Sequence, residues 1–182
     1  FPFDVWQRLY ARACRAAARE RDVPTDLQGR PRLRAAIAKH VSFARAVACQ
    51  PDDIVVTTGT RQSVDLLSRI LVTAGETQVA IEDPCFPPLR LAFLAAGARV
   101  HPVPVDEEGL VVERLPADAR VICVSPSHQY PLGVAMSARR RAALLEFART
   151  NGAVIVEDDY DAEFCFVGRP PPNPVSDPFE PM

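Results

Sequence analysis

The sequence is almost without lysine. It contains 21 lysine and arginine residues, and Lys39 is its single lysine. The net charge is -2 and no basic block stands out, so the chain is not expected to grip a nucleic-acid backbone by itself. Any chemistry that requires a lysine amine has one candidate residue in this sequence.

Paired cysteines and long apolar runs are missing too. The 5 cysteines are widely spread and odd in number, and no two form a CxxC pair. We therefore expect no metal site and no disulfide framework, only reduced thiols. No apolar run is long enough to span a membrane, and the N-terminus lacks a basic-then-apolar signal pattern. These absences predict a cytoplasmic protein.

What the sequence does contain is an alternation of strand and helix patterns. The chain has 182 residues and is 48% hydrophobic, which is enough for one sizeable core. Helical spacing of apolar residues predicts helices over 4–20 and 29–47. Strands are then predicted at 53–59, 78–83, 99–105, 120–126 and 153–159, separated by helices that include one capped by Ser137. This order predicts a three-layer α/β/α fold with a mostly parallel sheet.

Polar residues follow several of these strands, at the edge where open α/β sheets bind ligands. Gly59 turns the chain directly into a helix, so the N–H groups of Thr60 and Arg61 would suit a phosphate. An ordinary strand-turn-helix connection would have the same sequence. Phe86, after the second strand, offers a flat surface for a ring, although its position alone favours a core or lid aromatic. His128 and Gln129 lie in a polar loop between two prolines.

The run "VIVEDDYDAEF" ends the last strand in carboxylates. Strand alternation places Asp158 on the face opposite Glu157 and Asp159. A buried carboxylate needs a cationic partner to stay ionised, and a protonated pyridine nitrogen is such a partner. Tyr160 would point the same way and could donate a hydrogen bond to a phenolate oxygen. Together with the phosphate site and the flat surface, this pattern predicts pyridoxal 5'-phosphate (PLP) as the ligand.

Four stretches carry a resemblance to a known family: "DIVVTTGTRQSVDLLSRIL", "IEDPCFPPLR", "PSHQYPLG" and "EDDYDAEF". In this order they resemble the aminotransferase-like domain of MocR-type transcriptional regulators, which belong to the GntR family. The resemblance covers residues 1 to about 170 and implies a fold-type-I, PLP-dependent aminotransferase architecture. It assigns seven residues to the cofactor: Thr60 and Arg61 to the phosphate, Phe86 to ring stacking, Asp158 to the pyridine nitrogen, Tyr160 to the ring hydroxyl, and His128 and Gln129 to the loop beside it.

The resemblance also divides the chain. Residues 1–50 are expected to be the N-terminal helical segment of the domain, 51–168 an incomplete PLP-binding large domain, and 169–182 a proline-rich tail. The family attaches PLP covalently to a lysine that follows "EDDYD", and this sequence ends before such a lysine. Weak PLP binding or none, no catalytic residue and no metal are therefore expected in this chain.

The partners implied by the resemblance are PLP or an amino-compound effector, and a second copy in a homodimer of the complete protein. DNA would be contacted only through a winged-helix domain outside this sequence. Two other hypotheses remain open from the sequence. One is a fragment of a genuine class I/II aminotransferase, and the other is an α/β module that binds a different phosphate ligand or none.

Overall fold

The computed structural model describes residues 1–19 and 26–161. The described residues form five α-helices and five strands. The helices are α1 (Phe3–Ala17), α2 (Pro31–Arg45), α3 (Thr60–Leu71), α4 (Pro87–Ala95) and α5 (Ala138–Asn151). The strands are β1 (Gln78–Asp83), β2 (Arg99–Asp106), β3 (Gly109–Leu110), β4 (Ala119–Val124) and β5 (Val154–Glu157). Short 3-10 turns lie at Pro51–Asp53 and Val112–Arg114.

The strands form one sheet in the order β3-β2-β1-β4-β5. β1 pairs in parallel with β2 and with β4, and β4 pairs in parallel with β5. Only the two-residue β3 runs antiparallel, against the end of β2. The prolines of β2 fit its place near the edge of the sheet, since a proline cannot donate a ladder hydrogen bond. The predicted mostly parallel α/β sheet is confirmed.

Apolar side chains of β1 and β4 alternate between two cores, one on each face of the sheet. Ala80 and Ile122 pack with Leu144 of α5 on one face. Val79 and Val121 pack with Phe93 of α4 on the other face, where Val64 of α3 joins them. Helices therefore cover both faces, as the predicted three-layer arrangement requires.

The segment 53–59 is not a strand, which corrects the sequence-based prediction. Ile54 has an extended backbone, but the segment does not belong to the sheet of the described residues. Val56 N–H donates to the carbonyl of Gln28 at 2.7 Å, in the loop before α2. An extended run becomes a strand only where a neighbouring strand can accept its ladder, and the described part of the chain places none beside it.

The ends of the helices are set by local chemistry. Ser137 caps α5, its side chain accepting a hydrogen bond from the N–H of Arg140, as predicted. Gly152 then ends α5 in a left-handed conformation with φ +62°. The run "RQSVDLLSRILVTAG" (61–75) predicts a helix stopped by Gly75, but α3 ends earlier, because Val72 is already extended. Gly75 lies in a turn, where its N–H donates to the carbonyl of Gly97.

The two N-terminal helices contribute little to the cores. No residue of α1 is buried, and its apolar residues Trp6, Leu9 and Tyr10 are all exposed. Helical spacing places Leu33, Ile37 and Val41 in one apolar stripe of α2. The buried residues of this helix are instead Arg34, Ala38 and Arg45.

Lys39 is exposed on α2. The predicted tail 169–182 lies outside the described residues. Among the described helices, none combines the length and the apolar character that crossing a membrane requires.

Candidate functional site

A cavity of about 210 Å³ lies where β1, β4 and β5 end. We call it the aromatic cavity, and it is lined by Thr60, Phe86, Tyr130, Asp158 and Tyr160. The ring of Tyr130 stands edge-on to Phe86 at 5.8 Å between centroids, and edge-on to Tyr160 at 6.5 Å. Three aromatic rings and one carboxylate therefore face the same small space.

A second cavity, of about 240 Å³, lies at the start of α3 and is called here the helix-start cavity. Thr60 and Asp158 line both cavities. Gly59, at φ +118°, adopts a conformation that L side chains rarely take and leads directly into α3. The first N–H groups of a helix lack intrahelical acceptors and carry partial positive charge, so this end of the cavity suits an anion.

Side chains fix the turn before α3. Gln62 Oε1 accepts hydrogen bonds from the N–H of Thr58 at 2.6 Å and from the Thr58 hydroxyl at 2.9 Å. The hydroxyls of Thr57 and Ser63 are 2.8 Å apart. The turn is thereby held in place without use of the N–H groups of Thr60 and Arg61.

Asp158 follows β5 directly and continues its ladder, its N–H donating to the Val124 carbonyl at 2.9 Å. Burial raises the pKa of its carboxyl, and the negative charges of Asp159 and Asp161 raise that pKa further. Among residues 1–19 and 26–161, no cation is paired with this carboxylate. The site therefore presents a half-buried acid that a cationic ligand would stabilise in its ionised form.

The two neighbouring carboxylates have different surroundings. Asp159 forms an ion pair with the buried Arg45 at 3.1 Å, away from the aromatic cavity. Glu157 lies near Arg141 and also lines the helix-start cavity beside Asp158. The structure therefore separates Asp158 from Asp159 as the alternation predicts. The predicted separation of Asp158 from Glu157 is incomplete, because β5 ends at Glu157 and strict alternation ends with it.

His128 and Gln129, the two predicted site residues of the polar loop, do not line either cavity. His128 stacks on Tyr160, with centroids 6.2 Å apart and rings inclined by 13°, and its Nδ1 is bonded to Asp161. Gln129 is buried beneath the loop. His128 thus backs one wall of the aromatic cavity, while Gln129 supports the loop from inside.

Of the seven predicted site residues, the structure brings four to the aromatic cavity: Thr60, Phe86, Asp158 and Tyr160. The exposed side chain of Arg61 is not part of either lining, so only its backbone N–H is placed at the helix start.

Sequence reasoning missed Tyr130 and Glu82. Tyr130 could have been suspected as an aromatic residue in a strand-end loop, and Glu82 as a carboxylate inside an apolar strand.

This fold is that of the PLP-dependent aminotransferases, and the family model "Aminotransferase class I and II" matches residues 2–174. The chain belongs to this family. Kynurenine aminotransferase of Pyrococcus horikoshii has a similar structure, with a TM-score of 0.87 and 26% sequence identity. That match covers 97% of this chain and 46% of the other.

Among curated proteins, the chain is similar to transcriptional regulators. It is 39% identical over 173 residues to the probable rhizopine catabolism regulatory protein MocR of Rhizobium meliloti, covering 94% of this chain and 35% of that protein. It is 41% identical over 145 residues to the pyridoxine biosynthesis regulator PdxR of Corynebacterium glutamicum, covering 80% of this chain and 32% of that protein. The chain thus spans about a third of the length of these curated relatives.

Proposed function

We propose that this chain forms the PLP-binding part of an aminotransferase-like effector domain in a MocR-type transcriptional regulator. The observation that carries the proposal is Asp158, a carboxylate without a cationic partner among the described residues, at the junction of two cavities. One cavity suits a flat cationic ring and the other an anion. PLP combines these two groups in one molecule.

The residues present fit PLP in four respects. Asp158 would hold the protonated ring nitrogen, and Phe86 and Tyr130 would contact the ring. Thr60 and the first N–H groups of α3, which have no acceptor among the described residues, would hold the phosphate. Burial and the nearby carboxylates of Asp161 and Asp158 raise the pKa of Tyr160, so its hydroxyl keeps its proton and can donate to the ring oxygen. When bound, PLP supplies a reactive aldehyde and an electron-withdrawing ring.

Binding through these residues alone is expected to be weak. The exposed Lys39 lies on α2 and is not part of either cavity lining, so these contacts are non-covalent. Each contact contributes on the order of 1 to 3 kcal/mol, while association costs roughly 4 kcal/mol or more. We therefore expect dissociation constants between about micromolar and millimolar.

The regulatory part of the proposal is supported by the relatives, because MocR and PdxR are named as regulators. In such a protein this domain would respond to PLP or to an amino compound, and a winged-helix domain would contact DNA. We also propose that the complete protein is a cytoplasmic homodimer. The two alternative functions, a fragment of a working aminotransferase and a module for another phosphate ligand, are not favoured by these comparisons.

Equilibrium dialysis of the chain against PLP tests the cofactor site. We expect Asp158→Ala to weaken binding by about tenfold, since it removes a charge-assisted contact. Asp159→Ala is the matched control, because this carboxylate binds Arg45 instead of facing the aromatic cavity. Circular dichroism establishes that both variants are folded. If Asp159→Ala weakened binding more than Asp158→Ala, the assignment of Asp158 to the ring nitrogen would be wrong.

Borohydride reduction followed by peptide mapping tests the non-covalent mode. We expect no stoichiometric PLP adduct on Lys39 and no turnover of amino acids. A stoichiometric adduct on Lys39, with transaminase activity that Lys39→Ala removes, would contradict the proposal.

A further inference from the structure

Gln129 lies at the centre of a buried hydrogen-bond network beneath the aromatic cavity. Its side chain is 1% exposed. Its Nε2 donates to the carbonyl of Pro84 at 2.7 Å and to Glu82 Oε2 at 3.3 Å, and its Oε1 accepts from the N–H of Leu132 at 3.2 Å. One side chain thus joins the loop after β1 to the loop after β4.

Glu82 is the second member of this network. It is 3% exposed, and its Oε2 also accepts a hydrogen bond from the N–H of Ser125 at 3.2 Å. Its Oε1 is buried and has no hydrogen-bond partner in the described part of the chain. Burial of a carboxyl costs free energy, and the hydrogen bonds of Oε2 offset part of that cost. A role in holding the two loops would explain why a carboxyl is buried here.

The two loops carry two walls of the aromatic cavity. Phe86 follows Pro84 by two residues, and Tyr130 follows Gln129 directly. Neither Glu82 nor Gln129 lines the cavity, so neither is placed to touch a ligand there. The contact between the Phe86 and Tyr130 rings therefore depends on how the loops are held from below.

We propose that Glu82 and Gln129 are positioning residues that fix the Phe86 and Tyr130 rings for a planar ligand. The inference rests on the proposed function for the identity of that ligand, but the ring geometry itself can be tested without it. The network supplies in advance the order that the loops would otherwise have to gain on binding, and pre-ordering of this kind raises affinity.

The test compares four variants of the chain. Gln129→Leu removes every bond of the amide, and Glu82→Leu removes the acceptor. Glu82→Gln is the conservative variant, because its amide oxygen can still accept from both donors. Thr77→Val is the matched control. It removes a partly buried hydrogen bond, from Thr73 N–H to Thr77 Oγ1 at 2.8 Å, just before β1 and at the end of that strand away from the cavity.

Two measurements are made on each folded variant. The first is the nuclear Overhauser effect between the Phe86 and Tyr130 rings in chain with labelled phenylalanine and tyrosine. The second is the PLP dissociation constant from equilibrium dialysis. We expect Gln129→Leu and Glu82→Leu to lose the ring contact and to bind PLP on the order of tenfold more weakly. Glu82→Gln and Thr77→Val should keep the ring contact and bind within about threefold of the original chain.

The outcomes separate this inference from the proposed function. If the original chain binds no PLP, the proposed function fails, and the ring contact alone decides whether the two residues position the walls. If Gln129→Leu or Glu82→Leu keeps both the ring contact and the affinity, the inference is wrong. It is also wrong if Thr77→Val loses as much ring contact and PLP affinity as Gln129→Leu and Glu82→Leu, since the losses would then follow from lower general stability. Should Gln129→Leu fail to fold, the difference between Glu82→Leu and Glu82→Gln decides.

Discussion

The segments 78–83 and 53–59 have similar patterns of apolar and polar residues but different structures. "QVAIED" and "DIVVTTG" are both short apolar runs that end in polar residues. The first is β1, at the centre of the sheet between β2 and β4, and Val79 in it is completely buried. The second is extended but unpaired in the sheet of the described residues, and Val55 in it is 52% exposed. Strand patterning thus indicates a capacity to pair, and the neighbours in the fold decide whether pairing occurs.

The largest expected effect on the free energy of unfolding comes from the helices beside the two segments, α4 and α2. Phe93 on α4 is fully buried against β1, whereas Phe43 on α2 is 87% exposed. We expect Phe93→Ala to lower the free energy of unfolding by about 3 to 5 kcal/mol. Phe43→Ala should change it by no more than about 0.5 kcal/mol. Urea unfolding measures both, and equal losses would contradict the division into a packed sheet region and a loosely packed N-terminal region.

The next prediction concerns the carboxylates at the two segments. Burial raises the pKa of Glu82 to about 7 from an ordinary value of 4.5, although the N–H of Ser125 and the amide of Gln129 oppose the shift. The folded state therefore holds this proton more tightly than the unfolded chain. The resulting stabilisation is complete below about pH 4.5 and is lost as the pH rises through about 7.

Glu82→Gln removes the titrating group, so comparison with this variant isolates the pH-dependent stability that Glu82 contributes. Relative to Glu82→Gln, the unfolding free energy of the original chain should fall by about 3 kcal/mol between pH 4.5 and pH 7.5. Asp52→Asn, which alters an exposed carboxylate beside the second segment, is the control and should leave the pH dependence of the original chain in place. A constant difference between the original chain and Glu82→Gln would mean that Glu82 is not buried in solution.

Identical substitutions in the two segments give the most direct test. Val79→Ala should lower the unfolding free energy by about 2 kcal/mol, because it removes buried methyl groups from a packed core. Val55→Ala should lower it by no more than about 0.5 kcal/mol. Urea unfolding under one set of conditions compares them, and a cost for Val55→Ala as large as that for Val79→Ala would indicate that 53–59 is packed in solution.

The smallest expected effect concerns a helix start. Ser137 caps α5 through the N–H of Arg140 at 3.2 Å, while α1 and α2 have no capping side-chain hydrogen bond. Ser137→Ala should cost about 1 kcal/mol of unfolding free energy. Ser42→Ala, inside α2, is a control that removes a hydroxyl without removing a cap. A negligible effect of Ser137→Ala would place the start of α5 elsewhere.

The sequence predicted the elements whose signals are local. The limits of β1, the cap at Ser137 and the end of α5 before Gly152 follow from short patterns of apolar and capping residues. The mostly parallel sheet followed from the order of those elements. The predictions that failed depended on distant partners. No strand of residues 1–19 and 26–161 pairs with 53–59, and the buried side of α2 is defined by Arg34 and Arg45.

The same distinction applies to the candidate site. Thr60, Phe86, Asp158 and Tyr160 follow strand ends, so their meeting at one edge could be predicted from the topology. The burial of Gln129 could not be predicted, because a polar loop residue is usually exposed and only the fold places Pro84 and Glu82 beneath it.

The exposed Lys39 gives this chain an unusual property as a reagent. Amine-directed dyes, crosslinkers and solid supports would find one lysine side chain in the 182 residues, on α2 and outside both cavity linings, besides the N-terminal amine of Phe1. A probe attached to Lys39 would occupy a known position and leave the residues around Asp158 chemically unaltered. Orientation on a surface, or distance to a fluorescent ligand in the aromatic cavity, could therefore be measured without the engineering of a new attachment point.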